Sequence, residues 1–181
     1  MRGSDPDAAV YWLAKMLYAG EDPRFIVRRI LILASEDIGN ADPQALILAV
    51  SGLQAVEFIG LPEARIILSH LVTYMALAPK SNASYLAINQ AMEDVKTRKI
   101  EEVPSHLRDA SYAGAKKMEH GQGYKYAHQY EGHYVDQVYL PVKKAYYQPT
   151  QMGFEKVLTE RLIRIKSKSE PRPPLSPRPS S

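Results

Sequence analysis

The amino-acid sequence predicts an all-α protein in which a helical bundle is followed by an irregular Tyr/Gly-rich extension with short helices. The first observation is that proline-marked helix starts recur at Pro6, Pro23, Pro43 and Pro62, which are 17, 20 and 19 residues apart. The second is that apolar residues between these prolines recur with the spacing of an α-helix. The third is that this pattern ends near Lys99, where Tyr, Gly, His and Pro become frequent.

Each predicted helix of the first half has a start signal and a stop signal. Three of the prolines directly follow a carboxylate that can cap a first turn: Asp5, Asp22 and Asp42. The stretch Leu61–Glu63 predicts the start of the fourth helix. Three glycines lie where helices must end, since glycine enters the left-handed cap conformation at little cost: Gly20, Gly39 and Gly60.

The third and fourth helices are apolar almost all round, whereas the first two have one apolar face. A helix of this kind is buried on several sides. In a chain of this size we expect one of those sides to be a subunit interface. A fifth helix is predicted over about Asn82–Arg98, after a break at Pro79.

Beyond the bundle we expect short helical turns and loops over residues 100–150, with a brief hairpin near Tyr134–Tyr139. Thr150 is predicted to cap a last helix that runs to Ile165. The Pro/Ser-rich composition from Ser167 onward cannot bury a core and predicts disorder. The expected division is therefore a bundle at 1–98, an extension at 99–166 and a tail at 167–181.

Charge and composition exclude several function classes. The 181 residues include no cysteine, which excludes a disulfide framework, thiolate catalysis and cysteine-ligated zinc. The net charge of +3 is uneven, because residues 1–95 are acidic and the last 26 residues are basic. No uncharged stretch reaches the roughly 18 residues of a membrane span, so no membrane partner is expected.

Motifs for chemistry are weak. No glycine is followed by lysine, so the sequence has no Walker-A element, and the dinucleotide-binding fingerprint is missing as well. A metal site would combine His120, His128 and His133 with Glu131 or Asp136, but the spacing matches no compact zinc motif. Hydrogen-bonded structural histidines are the favoured interpretation, and we expect no catalytic, cofactor-binding or metal-binding residue.

The segment from Gly121 to His128 interleaves aromatic rings with a lysine. Tyr124, Lys125, Tyr126 and His128 could stack nucleic-acid bases and meet phosphate. The favoured alternative is that these rings pack the irregular segment onto the helical body. The basic tail is the stronger electrostatic candidate for a polyanion.

Several segments together carry a family resemblance. They are RGSDPDAAVYWLAKML, RFIVRRILILASEDIGNADPQAL, LPEARIIL, APKSNASY, VPSHLRDA, GYKYAH, YLP and YYQPTQMGFE. In this order, they resemble the C-terminal region of the replication-associated recombination protein A family, also called RarA or MgsA. These are AAA+ ATPases related to clamp loaders, and the eukaryotic counterpart is the Werner-helicase-interacting ATPase. The resemblance runs from Arg2 to about Glu155.

The resemblance implies a clamp-loader-collar-like helical bundle over the first 95 or so residues, followed by a family-specific extension. It implies that ATP and Mg are bound by upstream domains that we expect this chain to lack, with Met1 standing in for a residue of a longer protein. It also implies homotetramerisation. The implied partners are the upstream ATPase domains, DNA and single-strand-binding protein, in the cytoplasm at the nucleoid and the replication fork.

Family-typical positions give the candidate interface or functional surface. Its members are Lys80, Ser81, Asn82, His106, Arg108, Tyr124, Lys125, Tyr126 and His128. For Lys80–Asn82 the favoured alternative is a helix stop followed by an N-cap. The chain departs from the family pattern after VPSHLRDA, where the usual longer charged helical run is replaced by Ser111–Gly121.

The sequence thus predicts a C-terminal oligomerisation module of an AAA+ ATPase that acts in replication-fork maintenance, recombination and repair, with no chemistry of its own. The alternative is a nucleic-acid-binding module that uses the basic tail and the Tyr/Lys segment.

Overall fold

The computed structural model describes residues 1–99, 102–108, 121–142 and 144–169. Within these ranges it contains six α-helices and no strand, which confirms the all-α prediction. The helices are α1 (Pro6–Tyr18), α2 (Pro23–Leu33), α3 (Gln44–Ile59), α4 (Ala64–Leu77), α5 (Ala83–Thr97) and α6 (Glu155–Ser169). One compact unit comprises Met1–Thr97 with Ala145–Glu160, and a second comprises Arg98–Lys144 with the chain after Arg161.

The helices begin at or within a few residues of the predicted start signals. Asp5 Oδ1 accepts the Ala8 amide at 2.9 Å, and Asp22 Oδ1 accepts the Arg24 amide at 2.8 Å. α4 begins at Ala64, later than the predicted start at Leu61–Glu63, because Pro62 and Glu63 form a turn before it. The predicted stops are confirmed at Gly20, Gly39 and Gly60.

A kinked connection separates α2 from α3. A π-helical turn over Ala34–Ile38 is followed by a 3-10 turn over Gly39–Ala41. Ala34, Ile38 and Ala41 are buried. The polar side chains of residues 35–40 (SEDIGN) in this connection contact the N-terminal residues and the C-terminal segment of the first unit.

Helix α4 lies at the centre of the first unit and packs on α1, α2 and α3. Its fully buried Leu68 and Met75 pack in one core with Val27 and Ile30 of α2 and with Ile38. Burial of each such side chain contributes about 1.5–3 kcal/mol. The core of the first unit therefore forms around α4, between α2 and the turn that follows it.

Helix α3 has an inverted distribution of side-chain size. Its buried residues are Ala45, Ala49, Gly52 and Val56. A Cβ at Gly52 would overlap the Leu71 side chain, so α3 and α4 approach closely along this face. Leu48 and Leu53 pack partly buried against the core, whereas Leu46, Ile47, Val50 and Phe58 lie on the outer side of α3.

Two expectations for the C-terminal part are wrong. Thr150 does not cap α6: its hydroxyl accepts the Met152 amide and donates to Glu155, and the helix begins five residues later. The helix also continues to Ser169, so residues 167–169 are helical and not part of a disordered tail. The remainder of that predicted tail, residues 170–181, lies outside the described residues.

The second unit contains short 3-10 turns at Ser105–Leu107, Ala127–Gln129 and Glu131–His133. These confirm the prediction of short helical turns. The hairpin expected near Tyr134–Tyr139 is wrong, because those residues form no strand. Residues 111–120 of the stretch that departs from the family pattern lie outside the described residues.

Among the described helices, none is both long enough and apolar enough to span a bilayer.

Candidate functional site

A fully buried carboxylate joins the end of the chain to the helical bundle. Glu155 has no exposed surface. Its Oε2 accepts hydrogen bonds from the Ser81 hydroxyl, the Thr150 amide and the Thr150 hydroxyl, each at 2.7 Å. Its Oε1 accepts the Tyr147 hydroxyl at 3.0 Å. We call Glu155 and these three partners, with Asn40, the Glu155 cluster.

Among the described residues, hydroxyl and amide donors keep this carboxylate ionised. Burial alone raises the pKa of Glu155, but the hydrogen bonds from Ser81, Thr150 and Tyr147 outweigh it and lower the pKa below its ordinary value. Burial also raises the pKa of Tyr147, which therefore stays a donor at neutral pH.

Further contacts fasten the same C-terminal segment. Asn40 Nδ2 donates to the Tyr147 hydroxyl at 3.1 Å, and the Tyr146 hydroxyl donates to Asp94 on α5 at 2.8 Å. The Phe154 amide donates to the Ala41 carbonyl at 2.7 Å. Residues 145–154 are thus held against both the kinked connection and α5.

A second polar cluster lies at the beginning of the chain. The Arg2 guanidinium makes two hydrogen bonds to Asp37, at 2.7 Å and 3.0 Å, and a longer contact of 3.4 Å to Glu36. Lys80 Nζ donates to the carbonyls of Ala76 and Ala78 at the end of α4, at 3.0 Å and 2.5 Å. Burial lowers the pKa of Lys80.

The contacts of Lys80 and Ser81 support the structural alternative for these positions. Lys80 satisfies helix carbonyls, and Ser81 is buried against Glu155. Asn82 is exposed, and its carbonyl accepts the Leu86 amide in the first turn of α5. Sequence reasoning placed the helix stop correctly but missed Glu155, whose partner Ser81 is 74 residues away.

The remaining candidate residues belong to the second unit. Arg108 Nε donates to the Val103 carbonyl at 2.7 Å, and Arg108 pairs with Glu102 at 2.6 Å. Among the described residues, His106 Nε2 is buried without a hydrogen-bond partner. Tyr124, Lys125, Tyr126 and His128 are exposed.

The predicted metal site and the predicted basic region can both be compared in part with the structure. Within the described residues no three His, Asp or Glu side chains are arranged to hold a metal, and His120 lies outside them. The basic excess is not confined to a tail. Five of the seven basic residues after Glu155 belong to α6: Lys156, Arg161, Arg164, Lys166 and Lys168.

Two exposed apolar surfaces lie on the first unit. The α3 surface consists of Leu46, Ile47, Val50 and Phe58, with Phe58 92% exposed. The α5 surface consists of Tyr85, Ile88, Met92 and Val95. Their spacing of three, four and three residues gives a continuous stripe along one side of α5.

Sequence analysis also missed an apolar groove between α1 and α2. It has a volume of about 560 Å³, and Trp12, Met16 and Phe25 contribute to its walls. Trp12 is exposed at its edge, with Lys15 Nζ 4.9 Å from the ring centroid. The signal for this groove was the position of Trp12 near the edge of the apolar face of α1.

These features define an all-α helical domain whose described polar clusters fasten its own segments and whose outer helices carry apolar surfaces. Residues 3–166 match the model of the family described as MgsA AAA+ ATPase C terminal. The chain belongs to this family, which confirms the resemblance drawn from the sequence.

Curated relatives agree with the family model. An uncharacterized AAA domain-containing protein of Mycobacterium tuberculosis is 51% identical over 170 residues, 92% of this chain and 38% of the relative. Replication-associated recombination protein A of Bacillus subtilis is 46% identical over 164 residues, 88% of this chain and 39% of the relative. ATPase WRNIP1 of Dictyostelium discoideum is 40% identical over 142 residues, 78% of this chain and 16% of the relative. The chain thus spans about two fifths or less of these relatives.

Proposed function

We propose that this chain is the oligomerisation module of an AAA+ ATPase that acts in replication-associated recombination and fork maintenance. The observation that carries the proposal is the inverted α3 helix. Ala49 and Gly52 face inward while Ile47 and Phe58 face outward, although burial of the larger side chains would stabilise a monomer more. A helix arranged in this way fits a partner on its outer side.

The α5 surface supports the same function. Ile88, Met92 and Val95 would be expected inside the bundle if α5 served only its own chain, yet all three are exposed. A stripe with alternating spacings of three and four residues suits knobs-into-holes packing against another helix. Its occupant in this proposal is a second copy of the chain.

Two separate apolar surfaces suit a homotetramer. A closed dimer needs one self-complementary surface, whereas four subunits with dihedral symmetry need two. The α3 and α5 surfaces would supply them.

The chemistry of the whole protein would lie outside this chain. ATP and Mg would bind to upstream ATPase domains, and this module would hold those domains together. Relatives named replication-associated recombination protein A support replication-associated recombination as the setting. DNA and single-strand-binding protein are proposed as partners only because the family resemblance implies them. The cytoplasm, at the nucleoid and the fork, is the corresponding location.

The test is solution mass by size-exclusion chromatography with light scattering. We expect about four times the chain mass of 20.3 kDa. Ile47→Asp and Ile88→Asp each place a charge on one surface, and each should lower the mass to that of a smaller oligomer. Ile163→Asp is the matched control, because Ile163 is 63% exposed, against 56% for each of the other two.

A wild-type monomer at tens of micromolar would contradict the proposal. So would an unchanged tetramer in both surface variants.

A further inference from the structure

Three aromatic rings of the second unit form an exposed array. The ring centroids of Tyr126 and His128 are 5.0 Å apart, and those of His128 and His133 are 4.9 Å apart. The planes are tilted by 45° and 57°. All three side chains are exposed, and Tyr126 retains 52% of its surface. Their exposed faces are therefore available to a ligand.

The local backbone holds the array in place. Tyr126 and Ala127 carbonyls accept the Gln129 and Tyr130 amides at 3.0 Å in one 3-10 turn. In the next turn Gly132 has φ 68° and His133 has φ 52°. Left-handed backbone at a non-glycine residue is uncommon, and here it turns His133 back onto His128.

The residue before the array is also positioned. The Gln137 side chain accepts the Lys125 amide and donates to the Lys125 carbonyl, both at 3.4 Å. Gln137 Nε2 also donates to the Tyr139 hydroxyl at 2.9 Å. These bonds hold the Lys125 backbone beside Tyr126, and the exposed Lys125 side chain extends from that fixed point.

The ligand that fits this arrangement is flat, unsaturated and attached to an anion. Tilted rings at about 5 Å spacing offer faces for stacking, and one lysine offers a single phosphate contact. Glu131 and Asp136 lie in the same segment, so the local charge is too small for binding by phosphate contacts alone. Stacking must supply most of the free energy.

We propose that Tyr126, His128 and His133 form a stacking platform for unpaired bases of single-stranded nucleic acid, with Lys125 contacting the adjoining phosphate. This site goes beyond the proposed oligomerisation and does not depend on it. Paired bases hide their faces in the duplex, so the platform discriminates against double strands. One phosphate contact makes the binding only weakly dependent on salt.

The test is fluorescence anisotropy with the full chain and a fluorescein-labelled oligothymidylate of about 20 nucleotides. We expect Tyr126→Ala to weaken binding roughly 5- to 150-fold, the range for loss of one stacked base. Tyr126→Phe keeps the ring and should bind within about twofold of wild type. A duplex of the same length should bind more weakly.

Val138→Ala is the matched control, because it removes exposed apolar surface from the same unit without removing a ring. It should leave binding unchanged. The proposal is overturned if wild type does not bind the oligonucleotide, if the duplex binds equally well, or if Tyr126→Ala has no effect. An equal loss in Val138→Ala would also overturn it, because the binding would then not depend on the aromatic rings. Solution mass and melting temperature measured on each variant show whether a loss is local.

Discussion

At the scale of single residues, Glu155 determines how the chain end meets the bundle. It is a buried charge whose partners are hydroxyls and an amide instead of a cation. Such an arrangement is favourable only when each acceptor site is filled, since desolvation of a carboxylate is costly. Ser81, Thr150 and Tyr147 supply the hydrogen-bond donors that fill these acceptor sites.

We expect Glu155→Gln to reduce the free energy of unfolding by about 2–4 kcal/mol. The amide has the same shape, but its NH₂ group would face the Thr150 amide, and its oxygen carries no charge. Chemical denaturation measures the change. Glu160→Gln on the same helix is the matched control and should stay within about 0.5 kcal/mol, because Glu160 is exposed. Equal stability of the two variants would contradict a structural role for Glu155.

The same residue predicts a pH dependence. The pKa of Glu155 in the folded chain is lowered from an ordinary value of 4.5. Its stabilising contribution is therefore fully present above that value and is lost as the pH falls through it toward the folded-state pKa. We expect the stability difference between wild type and Glu155→Gln to shrink as the pH falls below 4.5. A difference that is constant with pH would contradict the assignment.

At the scale of elements, residues 145–154 fasten the C-terminal part of the first unit to the bundle, although they form neither helix nor strand. We call this segment the clamp. Its closest approach is at Gly153, which has φ 50°. A Cβ there would overlap the Ala41 carbonyl oxygen and would meet Pro79 at 2.7 Å. Glycine is required at this position on both counts.

We expect Gly153→Ala to destabilise the chain by about 2 kcal/mol or more, since it adds backbone strain and a clash with main-chain atoms. Thermal and urea unfolding measure this. Gly3→Ala is the control, because nothing lies within 4 Å of its Cβ position and it should change stability by less than about 0.5 kcal/mol. A neutral Gly153→Ala would mean that this segment does not lie against Ala41.

Local signals predicted the helices of the bundle well, because Asp-Pro starts and glycine stops act within a few residues. The Asp5 and Asp22 caps are examples. The same local logic failed at Thr150, whose hydroxyl donates to the buried carboxylate of Glu155, five residues later, instead of capping the helix. It could not reveal the Glu155 cluster, because Asn40, Ser81 and Tyr147 meet only through tertiary packing. The sequence showed the residue types of the Tyr126 array, but it could not show that the rings are exposed to solvent.

At the scale of the whole molecule, a helix carries most of the positive charge near the C-terminus. The sequence predicted a basic region of 26 residues with a helix to Ile165, and α6 continues to Ser169, so it also includes Lys166 and Lys168. Residues 170–181 contain only Arg172 and Arg178 as basic residues. Electrostatic attraction to a polyanion would thus be exerted mainly by a helix with fixed side-chain spacing.

Two truncations should separate the clamp from the chain end. Removal of residues 170–181 should leave the free energy of unfolding within about 0.5 kcal/mol, because this Pro/Ser-rich stretch cannot bury a core. Removal of residues 145–181 should cost several times that amount, since the Ser81 hydroxyl and the Ala41 carbonyl lose their partners. Circular dichroism during denaturation compares the two. Equal losses would contradict the clamp.

The inverted α3 helix has a consequence for how the protein keeps its fold. A chain that buries Ala45, Ala49 and Gly52 and leaves Ile47 and Phe58 outside holds part of its stabilising surface in reserve. If partner copies cover that surface, folding and association are linked by mass action, and the melting temperature rises with protein concentration. Dilution would then lower the stability of this module.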